Sequence, residues 1–223
     1  MIRSLNPRLL AIALTSVPIV NGEINGFYNP PLFRASPSLF WAVDFASFVM
    51  VPGLIALWLA KFGGIRPKQY GLQFPPPLRG ELLGSSLFIG VVLFILYFVP
   101  QRLVWAFSGY PISEFSYGTA IPSGVLRFPV VLYMSLSAGL MESVFLLALP
   151  WFFWRQHPSL AQRRTLFVWA SSIVFASIHW EQGLHGVVGA LVFGYAACLL
   201  YWKLNDLWPI VGAHAFVDLV ELF

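Results

Sequence analysis

The chain has 223 residues, 58% of them hydrophobic and only 10% charged, with a mean hydropathy of +0.76. Soluble domains carry about 25% charged residues, so this composition excludes an ordinary soluble domain and describes an integral membrane protein. The formal charge of +4 comes from basic residues scattered between apolar runs. No basic stripe interleaved with aromatics exists, which excludes nucleic acid as a partner and leaves the lipid bilayer as the environment the charges must orient in.

Seven apolar stretches follow in chain order, near 8–20, 38–60, 82–100, 128–154, 165–179, 185–202 and 207–222. Crossing roughly 30 Å of hydrocarbon takes about 20 helical residues, so the first, fifth and last stretches are marginal. The expected fold is all-α, a multi-spanning transmembrane helical bundle of about seven spans in one membrane domain. Met1 to Val20 could also serve as a signal peptide, but a small-x-small cleavage site is lacking and the stretch is read as a retained span. The Pro-rich piece Phe74-Pro75-Pro76-Pro77 reads as an interfacial loop. Near the C-terminus, Asn205 or Asp206 can cap the last helix, whose first turn tolerates Pro209.

Loop charges give an orientation. With the N-terminus cytoplasmic, Arg3, Arg8, Lys61, Arg66, Lys68, Arg79, Arg155, Arg163, Arg164 and Lys203 fall inside, against Arg34, Arg102 and Arg127 outside. That asymmetry is the positive-inside pattern. It puts the Lys61–Arg79 and Arg155–Arg164 loops at the cytoplasmic face and the loop near Glu181 outside. Cys198, the single cysteine, permits no intramolecular disulfide and reads as a small buried hydrophobe.

Ionisable side chains in membrane helices are costly and mark function by default. Glu142 lies in the middle of the apolar run from Phe128 to Trp154. Phe175 and His179 are four apart, as are His214 and Asp218, a spacing that puts each pair on one helix face. Between them Gly186, Ala190, Gly194 and Cys198 recur at every fourth position, a small-residue stripe that lets helices approach closely in lipid. One carboxylate and two imidazoles in a shielded site could polarise water and stabilise an oxyanion.

At these residues the chain resembles the CPBP family, the CaaX-processing and bacteriocin-processing intramembrane proteases. The family carries Glu-Glu-x-x-x-Arg, then Phe-x-x-x-His, then His-x-x-x-Asn or His-x-x-x-Asp on membrane helices. Phe175–His179 matches the second motif and His214–Asp218 the third, and Gly194, Leu200-Tyr201, Leu207-Trp208-Pro209 and His214-Ala215 also look like the family. The resemblance covers about 128–223, which divides the chain into N-terminal helices and loops over 1–127 and a core over 128–223. It implies a metal-free, cofactor-free endopeptidase of the glutamic type in a prokaryotic plasma membrane, acting on a peptide or membrane-associated protein. Glu142, His179, His214 and Asp218 are its implied catalytic residues. Glu142 and His179 would activate water, and His214 with Asp218 would hold the oxyanion.

The first motif departs from the family. Aligned on Phe145, Met141 stands at the first Glu, Glu142 at the second and Leu146 at the Arg. A one-residue slip makes Glu142 the first Glu, with Ser143 and Leu147 at the other two positions, so either register loses the arginine. A non-catalytic relative that binds a membrane partner or confers immunity is therefore the alternative. Blander readings also stand beside each residue. His179 could be an interfacial residue at a helix end, Glu142 a buried carboxyl bonded to a neighbouring helix, and His214–Asp218 a structural pair. His185 reads as a solvated or capping side chain. Asp44, a further mid-span acid, reads as bonded to a Ser or backbone group, with a cavity histidine as its other partner. Two histidines with Asp218 could bind a metal, although the resemblance argues for a metal-free site.

Overall fold

The computed structural model describes residues 6–73, 80–108 and 117–223. The expected Pro-rich interfacial loop at Phe74–Pro77 and the charges Arg3 and Arg79 lie outside the described residues. All regular structure among the described residues is helical.

Helix α1 spans Pro7–Ala35, with the Asn6 side chain accepting from the Arg8 amide at 3.0 Å and Pro7 in the first turn. It is longer than the apolar run at 8–20 suggests. The helix continues through Asn21, Glu23, Asn25 and Asn29 because this polar side faces protein. Asn25 and Asn29 are buried, and Asn29 donates to the Tyr117 hydroxyl at 2.7 Å.

Ser36 breaks the chain and caps α2, Pro37–Lys61, through its hydroxyl and the Leu39 amide. Helix α2 contains a π-helical segment at Ala46–Met50, where the hydrogen bonds skip one residue further than in an α-helix. Helix α3 covers Gly80–Ser108, and α4 runs Gly124–Gln156 with a second π-helical segment at Ser143–Ala148. Helix α5 is Arg164–Ser177, α6 is Gly183–Leu204 and α7 is Trp208–Leu222.

The stretch Trp180–Leu204 and helices α1 to α4 are long and apolar enough to cross a membrane. Helices α5 and α7 have 14 and 15 residues, only about 21–23 Å at 1.5 Å per residue. Helix α4 forms the centre: 61% of its apolar window is buried inside the protein, against 28% for α1 and 22% for α2. Large apolar side chains such as Phe88 and Leu103 on α3 and Leu54 and Leu57 on α2 remain exposed, as lipid-facing residues do.

Helix α3 packs on both α6 and α7, α6 packs on α5, and α7 packs on α4. Two glycines permit close approaches around the centre of the bundle. A Cβ at Gly139 of α4 would lie 2.9 Å from the Ala215 amide of α7, and one at Gly194 of α6 would lie 3.1 Å from the Phe175 side chain of α5. The second contact uses the small-residue stripe expected from the sequence, and Cys198 on the same stripe is buried.

At one end of the bundle the two basic loops meet. Arg155 donates to the Gln69 carbonyl, the Leu207 amide to Gly71 at 2.9 Å and the Trp208 indole to Gln73 at 2.7 Å. In the turn between α6 and α7, Asn205 takes the left-handed conformation that ends α6, while the Asp206 carboxylate accepts from the Trp208 amide at 3.0 Å. At the other end Arg127 donates to the last carbonyls of the chain, Leu222 and Phe223.

Candidate active site

Glu142 is the last residue before the π-helical segment of α4, and everything from Met141 to Leu149 is buried. A π-helical insertion shifts the helix face that follows it and is frequent at functional sites. The Glu142 carboxyl is directed towards α7, where its Oε2 lies 3.7 Å from His214 Nε2. His214 Nε2 is also 3.7 Å from Asp218 Oδ1, one turn further along α7. Both separations exceed hydrogen-bond length. His214 therefore faces two carboxyl groups without being bonded to either, and Glu142 Oε2 is buried with no hydrogen-bond partner.

His179 follows the end of α5, and its Nδ1 lies 2.9 Å from the Phe175 carbonyl. A carbonyl can only accept, so Nδ1 carries the hydrogen and Nε2 of the neutral ring is left as an acceptor. Aromatic packing joins the two histidines. Phe175 stacks on His179 with ring centroids 5.2 Å apart and contacts Phe193 of α6 at 5.3 Å, and Phe193 contacts His214 at 4.8 Å. Gly194 lets α6 bring Phe193 onto this wall.

Glu142, His179, His214 and Asp218 all line one cavity of about 510 Å³, to which helices α1 to α7 all contribute. The motif departures are apolar in structure as well as in sequence: Met141 and Leu146 are 6% and 3% exposed and belong to the hydrophobic core. The Leu146 carbonyl accepts from Ser171 of α5 at 2.5 Å.

Other residues also line the cavity, some of them not singled out by the sequence. Glu181, read as part of an external loop, is buried and lines the cavity with an unpartnered Oε2. On α3, Tyr97 Oη lies 3.3 Å from Glu221 Oε1 and accepts from Gln101 at 3.1 Å. His185, expected to be solvated, is instead 8% exposed. It stacks on Trp105 at 5.2 Å because α3 covers the start of α6. Asp44 also lines the cavity, and its carboxylate accepts from Tyr133 at 2.7 Å rather than from a serine, the backbone or a histidine. The signal that could have found Glu181 is its place two residues after a Phe-x-x-x-His pair. Among the described residues, no group of three or more His, Cys, Asp or Glu side chains has the arrangement of a metal site.

Residues 124–220, rather less than half of the chain, match the Rce1-like family, described as type II CAAX prenyl endopeptidase Rce1-like. The match takes in α4 to α7 almost whole, and with them all four of these residues. No curated protein and no solved structure matches the chain. The family match points to a CAAX-type intramembrane protease, a hydrolase embedded in the bilayer. Residues 124–220, with the Phe175–His179 and His214–Asp218 pairs in order, are thus similar to the CAAX-type proteases of the CPBP family.

Proposed function

We propose that the chain is a membrane-embedded glutamic-type endopeptidase that cleaves a peptide or membrane-associated protein entering its cavity. The observation that carries this reading is the unpartnered Glu142 carboxyl, which faces His214 in a cavity shared with His179 and Asp218. A buried carboxyl left without a hydrogen bond loses about 1–3 kcal/mol or more, a cost that a bound water and substrate would relieve. A carboxylate beside a neutral imidazole acceptor is equipped to hold water as a nucleophile.

In the reaction, water donates a hydrogen bond to Glu142, with Nε2 of His179 as a second acceptor for the same proton, and its oxygen attacks the scissile carbonyl carbon. Glu142 takes the proton as the C–O bond forms. His214, with Asp218 beside it, donates to the oxygen on which charge develops, as a preorganised donor in a site shielded from bulk water. The C–N bond then breaks, and the proton passes from Glu142 to the departing amine. The products are a carboxylic acid, which then releases its proton to water, and an amine, and Glu142 returns to its starting form. The substrate class suggested by the family description is a prenylated C-terminal peptide. The loop charges favour a cytoplasmic N-terminus, and the family resemblance a prokaryotic plasma membrane.

A second reading, a non-catalytic relative that binds a membrane partner, is favoured by one observation. Met141 and Leu146 are packed into the apolar core at positions where the family has Glu and Arg. Reconstituted wild type and Glu142→Gln, assayed against prenylated and unmodified peptides and membrane-protein substrates, separate the two. The protease reading expects cleavage by wild type and a loss of about 10²–10⁴-fold in Glu142→Gln. Cleavage unchanged in Glu142→Gln, or no cleavage of any substrate by wild type, rejects it.

A further inference from the structure

The cavity holds a second carboxyl with an unpartnered oxygen that the motifs do not account for. Glu181 lies in the 3-10 turn Trp180–Gln182, two residues after His179, between α5 and α6. Helix α1 fixes this turn. The Trp180 indole donates to the Glu23 carbonyl at 2.8 Å and its ring lies 4.8 Å from that of Phe27. The Ser177 hydroxyl donates to the Glu23 carboxylate at 2.5 Å. Gly26 lets α1 close on the turn: a Cβ there would come within 2.9 Å of Trp180 and 3.2 Å of Glu181 Cβ. Positive φ at Gly183, 81°, then turns the chain into α6.

This clamp leaves Glu181 only 9% exposed, with its Oε2 unpartnered like Oε2 of Glu142. The two carboxyl groups line the same cavity. Burying one carboxyl without a partner is unfavourable, and burying two beside one space is more so unless something polar sits between them. A water can donate one hydrogen to each. The position where the family has its first Glu is occupied by Met141, which also lines the cavity but offers no acceptor of that kind.

We propose that Glu181 is the second carboxyl of this site, accepting a hydrogen bond from the water that Glu142 activates and replacing the carboxylate absent at Met141. The proposal rests on the protease reading, with one readout that does not. Two protein hydrogen bonds, to Glu142 and Glu181, use both hydrogens of the water and aim an oxygen lone pair at the substrate carbonyl. His179 Nε2 then shares the proton on the Glu142 side. When the C–O bond forms, one proton goes to Glu142 and the remaining O–H stays bonded to Glu181, so Glu181 begins and ends the step in the same form.

The test compares reconstituted wild type, Glu181→Gln and the double variant Glu181→Gln with Met141→Glu. Glu181→Gln keeps the shape of the side chain. It should lower kcat by about 10–100-fold with KM within about twofold, part of the range for acid–base contributions. Adding Met141→Glu should recover at least about tenfold, because a carboxylate returns on the facing helix. A structural role for Glu181 predicts no recovery, and a kcat within twofold of wild type in Glu181→Gln overturns the proposal while leaving Glu142 as the base. Infrared spectra of the carboxyl bands in substrate-free protein provide the independent readout. Glu181→Gln should shift the Glu142 band, identified by its loss in Glu142→Gln. An unmoved Glu142 band means that the two groups share no water, and the proposal fails whether or not the protein cleaves any substrate.

Discussion

Asp44 and Glu142 make a natural pair for comparison. Each is an acid within an apolar helix, each lies within two residues of a π-helical segment, and the two are 6% and 7% exposed in the wall of one cavity. Their difference is satisfaction. The Asp44 carboxylate accepts from Tyr133 of the neighbouring helix, whereas Glu142 Oε2 accepts from nothing and faces a histidine. A buried acid with a protein partner cross-links helices; one held without a partner in a cavity is available to a ligand. Chemistry is therefore assigned to α4 and packing to α2.

The largest expected contrast comes from removing each charge in turn. Asp44→Asn keeps an acceptor for Tyr133 and should leave cleavage within about threefold of wild type, against the loss of about 10²–10⁴-fold expected for Glu142→Gln. Equal losses in both would erase the distinction.

An intermediate effect is expected at the helix contact that builds the aromatic wall. Gly194→Leu must displace Phe175, because even a Cβ added at Gly194 would lie 3.1 Å from its side chain. Overpacking of this kind costs about 1–3 kcal/mol, so thermal unfolding in detergent should occur at lower temperature. Cleavage should fall as well, because Phe175 carries both the ring stacked on His179 and the carbonyl that fixes its tautomer. Unchanged stability and activity would mean that α5 and α6 need not approach this closely.

The smallest effect belongs to the structural side of the comparison. Tyr133→Phe deletes one of the donors to Asp44, with Tyr117 also beside that carboxylate, a change of about 1–3 kcal/mol. Lowered thermal stability with cleavage retained is the expected pattern.

Much of this was legible in the residues. The apolar runs announced the helices, since a bilayer leaves few other ways to satisfy a backbone. The spacing of Phe175–His179 and His214–Asp218 announced two shared faces, and the Gly194 stripe announced a close approach. The extent of α1 was not legible, because Asn21, Glu23, Asn25 and Asn29 look like a loop until other helices cover them. Glu181 was hidden for a related reason: its burial comes from a clamp by Trp180 and Gly26, residues more than 150 positions apart in the chain. His185 looked solvated because the cover supplied by Trp105 belongs to a distant helix. The π-helical segments leave no periodic trace over five or six residues.

The central claim, that Glu142 activates water and does not itself attack the substrate, is tested most directly by a single turnover in ¹⁸O-labelled water. Mass spectrometry of both the released fragment and the protein should find one ¹⁸O atom in the new carboxylate of the fragment and none in Glu142. Label appearing in the Glu142 side chain would reveal a covalent intermediate on that carboxylate and would contradict the account.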